Sequence, residues 1–376
     1  MNTSFALGFT GFSLIAITYG MARFSWGLMM PAIVKDIPFS PYVSGIIAAC
    51  SYVAYCLSVT GASFCVIRFG PRVTAVISAL CASAGLLLLA CSFSPLMLGV
   101  GLFIAGLSSG LASPSLAGAV ARSIPEKQQT LGNTVINAGT SAGIIFSVLI
   151  LFIAPGGWRV ACAIFGVMAL ICLAPVIRYV PGSGMNSGVE KKNSWREIFL
   201  SGAMRRLAII SFISGTASAA WWSFGPEILQ RHSGLDSSTT NMLWMISGGA
   251  GILAVLTGAV SAFIGMSQLY RLSQLFMAAP LVLFAISHGF SWWLFPAAAL
   301  CGAGYVILSG VLLVCATSSA KKSPASGVAV AFFMLAAGQV TGSVAFAQLY
   351  ATAGAAIALA IFASLSIIMI FLVPQE

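Results

Sequence analysis

Arg23 stands inside a long apolar stretch, Leu7 to Val34, with Tyr19 four residues before it and Trp26, Gly27 and Met30 after it. On a helix, spacings of three and four put these residues on one face. A guanidinium offers a planar fork of donors that fits carboxylate or phosphonate groups. The chemistry expected of this face is therefore recognition of an anionic or zwitterionic small molecule, with aromatic rings beside the charge. An arginine at the centre of a membrane-spanning helix costs about 2.5 to 3.5 kcal/mol even on the milder scales, so such residues tend to face a cavity or a transport path. The competing reading is an arginine that snorkels to the outer surface or pairs with helix carbonyls.

Other polar and aromatic side chains fall within apolar stretches. They are Tyr52 and Tyr55, Asn133, Asn137 and Thr140, the pair Trp221 and Trp222, and Gln339. From these, Tyr19, Trp26, Tyr52, Asn137, Trp221, Trp222 and Gln339 join Arg23 as the expected substrate contacts. Each polar member could equally form an interhelical hydrogen bond, typically worth under about 2 kcal/mol. The acidic residues lie outside the apolar stretches or near their ends. Glu227, following Gly225 and Pro226, is the one placed to carry a coupling proton. No combination of nucleophile, base and orienting group appears, and no phosphate-binding loop, so an enzyme is not expected.

The elements that must position these residues follow from composition. Hydrophobic residues make up 59% of the 376 and charged residues 6%, and the mean hydropathy is +1.03. A spanning helix needs about 20 mostly apolar residues. The pattern predicts twelve spans in an all-α membrane protein. The first six are Leu7 to Val34, Val43 to Val66, Val73 to Cys91, Leu96 to Val120, Leu131 to Ile153 and Trp158 to Val180. The second six are Leu207 to Leu229, Thr239 to Ile264, Leu269 to Ser287, Trp292 to Ala316, Gly327 to Tyr350 and Ala355 to Val373. The first span lacks a basic leader region and a small-residue cleavage site, and reads as an anchor rather than a signal peptide.

The chain repeats itself. A shift of 195 residues, without a gap, lays Gly20, Trp26, Pro31 and Ile33 on Gly215, Trp221, Pro226 and Ile228. It also lays Gly70 on Gly265, Lys127 on Lys322, Gly132 on Gly327 and Gly143 on Gly338. Two such halves in an apolar chain point to two pseudo-symmetric six-helix bundles, residues 1–180 and 207–376, joined by a linker over 181–206. Arg23 falls on Ser218, so the symmetry breaks where the charge enters the membrane.

The net charge of +10 does not indicate nucleic acid, because its distribution follows the spans. Thirteen basic residues, Arg68, Arg72, Arg122, Lys127, Arg178, Lys191, Lys192, Arg196, Arg205, Arg206, Arg271, Lys321 and Lys322, fall on one side of the twelve-span arrangement. Lys35, Arg159 and Arg231 fall on the other. Excess Lys and Arg in short loops marks the cytoplasmic face, which places both termini there. The nine cysteines show no metal-ligand spacing, and neither a metal nor another cofactor is expected. In the linker, Ser194 and Glu197 ahead of Ile198, Phe199 and Leu200 fit a capping box opening a short amphipathic helix on the membrane surface; an ordinary solvated loop is the alternative.

Two six-span halves with a basic central loop resemble the major facilitator superfamily over nearly the whole chain. The resemblance is sharpest between spans two and three, at Ser63, Arg68, Gly70 and Arg72, although Ile67 stands where the family usually has Asp. The second copy keeps Gly258 and Gly265. Gly157, Trp158, Arg159 and Phe165 resemble the family's approach to span six. Gly20 to Pro31, with Arg23, Phe24 and Gly27, is similar to bacterial permeases related to sugar and drug efflux. Gly139 and Gly143 match part of the antiporter motif of span five, with Thr140 in place of its proline.

The resemblance implies a monomeric transporter of the bacterial inner membrane. Its two halves would rock about a central path lined mainly by spans one, four, seven and ten, and Arg68, Gly70, Arg72 and Gly265 would serve the gate. Arg68 and Arg72 are expected at helix C-termini, or else act as topology determinants only. Three functions stay open: transport of a small organic molecule, anionic if Arg23 binds it; efflux of amphipathic drugs by proton antiport; and a membrane sensor that binds without transporting.

Overall fold

A computed structural model of the protein describes residues 3–182, 201–320 and 324–374. The expected amphipathic linker helix at Ser194 to Leu200 lies outside the described residues, as do Lys191, Lys192, Arg196, Lys321 and Lys322. Every element among the described residues is helical. The chain forms two compact units, Met1–Phe39 with Ile46–Ser187, and Ser40–Gly45 with Gly188–Glu376.

In the first unit the elements are α1 (Thr3–Ile15), a π-helical segment (Ala16–Met21), α2 (Ser25–Asp36), α3 (Pro41–Ala90), α4 (Pro95–Ser123), α5 (Glu126–Ile153) and α6 (Gly157–Tyr179). In the second they are α7 (Gly202–Arg231), α8 (Ser237–Ala250), a 3-10 segment (Gly251–Leu256), α9 (Thr257–Ile264), α10 (Met266–Ile286), α11 (Leu294–Ser319), α12 (Pro324–Ala353) and α13 (Ala355–Phe371). Local chemistry sets several starts. The Ser94 hydroxyl accepts from the Met97 N–H at 3.3 Å, and Asp236 accepts from the Thr239 N–H at 3.0 Å, each satisfying a free donor at a helix start. The Thr239 side chain and amide hold the Asp236 carboxyl below the usual carboxylate range.

Among the described residues nine helical stretches are long and apolar enough to cross a membrane. One of them, α3, has 50 residues, far more than the ~20 that one crossing needs. It is broken at Gly70, whose φ of 84° and ψ of 165° are not helical. The repeat partner Gly265 has φ 83° and ψ 153° ahead of α10. A left-handed φ of this kind is open to glycine at little cost and strains other residues, which is the physical reason both halves keep it.

Two expected spans are not continuous helices. The first, read from sequence as one helix over Leu7 to Val34, is interrupted by the π-helical segment and a turn over Ala22 to Phe24. The eighth, expected over Thr239 to Ile264, is divided into α8, the 3-10 segment and α9.

The helix pairing repeats within each unit. In the first, α5 packs on α1 and the π-helical segment; in the second, α12 packs on α7. Gly143 lies against the Ala16 carbonyl, and Gly338, its repeat partner, lies against the Phe212 carbonyl. Without a hydrophobic drive in lipid, helices associate through small residues that let backbones meet, and these glycines are where the chain does so. Large apolar side chains such as Leu57, Phe64, Ile171 and Phe371 are exposed, as expected of surfaces whose solvent is hydrocarbon.

Candidate functional site

Arg23 sits in the turn between the π-helical segment and α2, 13 residues before Asp36 at the α2 end, a helical distance of about 20 Å. The Ala22 and Phe24 N–H groups donate to the Ile17 and Tyr19 carbonyls at 2.8 and 3.0 Å. These are five-residue rather than four-residue steps. They satisfy the backbone through the break, which is otherwise expensive in lipid, and π segments of this kind are frequent at functional sites.

The guanidinium is enclosed by rings. Its carbon lies 4.2 Å from the Tyr55 ring centroid, 5.2 Å from Tyr52, 5.5 Å from Phe24 and 5.8 Å from Tyr19. Tyr19 and Tyr55 meet edge to face at 6.3 Å, and the Ser113 hydroxyl on α4 donates to the Tyr19 hydroxyl at 3.0 Å. Arg23 is only 6% exposed. A desolvated guanidinium over aromatic faces gains from cation–π attraction, about 2 kcal/mol or more per favourable case. The ring faces pack around the planar guanidinium.

Tyr19, Arg23 and Tyr52, all anticipated from sequence, are thus brought together. Tyr55 lies nearest of the four rings, and neither Phe24 nor Ser113 is among the contacts expected from the sequence. Trp26 is buried on α2, and its indole N–H has no hydrogen-bond partner among the described residues. The helical face expected to carry Tyr19, Arg23, Trp26 and Met30 is not a single α-helical face, because the π segment shifts the register. Asn137 is exposed on α5, whereas the buried side of that helix carries Ile136, Gly139, Gly143 and Ile144.

The second unit places the other candidates around a narrow cleft. Ser218, Trp221 and Trp222 on α7, Met277 on α10, and Cys301 and Tyr305 on α11 line it. Trp222 meets Trp244 and Tyr305 edge to face, both at 5.4 Å. Trp221 stacks on Phe284 at 4.9 Å. The Gln339 amide on α12 donates to the Ser218 and Tyr305 hydroxyls, each at 3.3 Å. Gln339, fully buried, is therefore tied to α7 and α11 rather than to solvent. Tyr305, Trp244 and Phe284 were not singled out from sequence. The signal was present for Tyr305, a lone phenol among Ala, Gly and Leu.

Glu227 is 4% exposed and pairs with Arg231 one turn on, at 2.7 Å. The expected gating residues divide. Arg68 is exposed. The Arg72 Nε donates to the Val180 carbonyl at 2.8 Å, and its backbone N–H to the Pro181 carbonyl at 3.2 Å, which caps the C-terminal end of α6 as a cation there should. A charged hydrogen bond of this kind contributes about 1.5 to 3 kcal/mol when shielded. Arg72 is half-buried, and Arg72→Ala is expected to cost about 1 kcal/mol, a Tm lower by a few degrees in detergent. Arg68→Ala should leave Tm unchanged. Trp158 and Arg159 also find partners: the Trp158 indole and Arg159 guanidinium both donate to Asp36, at 2.8 and 2.6 Å, and Arg159 also reaches the Ser92 carbonyl at 3.0 Å.

A model of the major facilitator superfamily matches residues 12–345, and the chain belongs to that family. It is accordingly a multi-pass membrane transporter of small molecules. Its fold is similar to the crystal structure of the nucleoside transporter NupG. A mutant form of that protein gives a TM-score of 0.80 at 13% identity, covering 98% of each chain. A second NupG structure gives 0.76 at 14% identity, covering 99% of this chain and 98% of the other. No curated protein matches the sequence significantly.

Proposed function

We propose that this protein is a secondary transporter that carries a small polar organic molecule bearing a carboxylate or phosphate-like group, held at Arg23. The observation that carries this reading is the buried guanidinium, fixed by Tyr19, Phe24, Tyr52 and Tyr55 at a break in the first span. Discontinuous helices are where many transporters bind their substrates. The charge asymmetry supports twelve crossings with both termini in the cytoplasm of a bacterial cell, and alternating access by a monomer is the mode of transport.

A second reading is favoured by the cleft of the second unit. Flat rings from Trp222 and Tyr305 beside the Ser218 hydroxyl suit a planar neutral heterocycle, and NupG is a nucleoside transporter. Uptake into vesicles of labelled organic acids and of nucleosides separates the two. Accumulation of an acid, competed by other acids and indifferent to nucleosides, is expected; nucleoside uptake alone would sink the first reading.

Proton coupling through Glu227 belongs to the same proposal. Glu227→Gln is expected to abolish accumulation driven by an imposed pH gradient while leaving substrate exchange across the vesicle membrane intact. A Glu227→Gln protein that still concentrates substrate removes Glu227 from that role.

A further inference from the structure

The chain contains two histidines, His232 after the α7 end and His288 in the connection from α10 to α11, 56 residues apart in sequence. The fold brings them together, with ring centroids 5.6 Å apart and planes at 59°. Both lie beyond the helix ends: His288 is exposed and His232 half-buried. The surrounding connection is pinned by the Ser233 and Ser287 hydroxyls, which bond at 2.6 Å. The Gly289 N–H adds a bond to the Ser233 carbonyl at 2.8 Å.

His232 Nε2 lies 3.1 Å from the Ala285 carbonyl oxygen. A carbonyl only accepts, so Nε2 carries the proton in that bond. In the neutral ring this leaves the lone pair on Nδ1. A ligating histidine is characteristically held this way, its other N–H given to a backbone carbonyl that fixes tautomer and orientation.

The spacing fits a shared ion. With metal–nitrogen bonds of about 2.0 Å in tetrahedral geometry, two imidazole centroids lie about 5 Å apart. The observed 5.6 Å closes by a small rotation of the exposed His288 ring. In the repeat, the positions of His232 and His288 are held by Ile37 and Phe93. The first unit carries apolar residues at both positions. Arg231, the adjacent cation, has its charge answered by Glu227.

We propose that His232 and His288 form a binding site for a borderline divalent transition ion, zinc or copper(II), with water completing the coordination. Two imidazole ligands select such ions over magnesium or calcium, which prefer oxygen. The bound ion would staple the outer end of α7 to the connection ahead of α11. This inference does not depend on the substrate proposed above.

The test is a zinc titration of the purified full-length protein, read by competition with a chromophoric zinc indicator and by thermal unfolding. The variants are His288→Phe, which restores the residue of the first unit, and His232→Gln, which keeps an N–H for the Ala285 carbonyl. The expected result is one saturable site in the parent, lost in both variants, with Tm rising as free zinc rises. Zinc binding of unchanged stoichiometry and affinity in the two variants, or absence of a saturable site in the parent, overturns the proposal.

Discussion

Arg23→Ala is expected to reduce binding of an acidic substrate by at least about a hundredfold, with Arg23→Lys recovering only part of the loss. The magnitude follows from removing two charge-assisted hydrogen bonds, each worth about 1.5 to 3 kcal/mol, at 1.4 kcal/mol per tenfold. Lysine restores the charge but not the planar fork, and its ammonium is more strongly hydrated. The Tyr19, Phe24, Tyr52 and Tyr55 rings around the group were arranged for a flat cation, so lysine fits them less well. The measurement is ligand-dependent thermal stabilisation across a panel of carboxylates, phosphates, nucleosides and lipophilic cations, repeated on both variants. Unchanged stabilisation by acids in both would end the assignment of Arg23 to the substrate. Stabilisation by lipophilic cations alone would favour drug efflux, and stabilisation without flux in vesicles would favour a sensor.

The second large effect concerns folding. Gly338→Ala is expected to destabilise the protein by about 3 kcal/mol, the upper end of ordinary overpacking costs, because the new methyl would collide with the Phe212 carbonyl. The obstacle is backbone, which cannot turn aside as a side chain can. Gly61→Ala is the matched control: a methyl there meets nothing within 4 Å, and alanine in a helix interior is favoured over glycine by up to about 1 kcal/mol. Yield of monodisperse protein and Tm in detergent measure both. Equal Tm in the two variants would contradict the close packing of α7 on α12.

Much of this was legible in the chain because it rests on residues whose physics admits few alternatives. Gly70 and Gly265 reappear 195 residues apart because a left-handed turn there tolerates little else. Arg23 announced itself because a charge in hydrocarbon has few inexpensive placements. The break in the first span was not legible. Apolar residues on every side of Ala16 to Met21 give no periodicity from which to tell π from α winding, so the expected face around Trp26 and Met30 was drawn in the wrong register. Tyr55 was weighed only as a polar residue on span two, since its distance from Arg23 depends on how α3 packs against a turn that periodicity does not reveal. Trp26 and Trp221 correspond in the repeat, yet Trp221 stacks on Phe284, and the position aligned with Phe284 is Leu89. Matching residues within the two halves thus do not guarantee matching neighbours.

The π-helical segment bears on how kinship should be judged for chains of this kind. One residue more or less in that winding turns everything beyond it by about 100°, without altering a single side chain near Arg23. Two proteins could share the whole stretch from Tyr19 to Pro31 letter for letter and still aim their arginines at different neighbours. Ligand preference would then be inherited through the pitch of six residues, and a comparison that scores only amino-acid identity would pass over it.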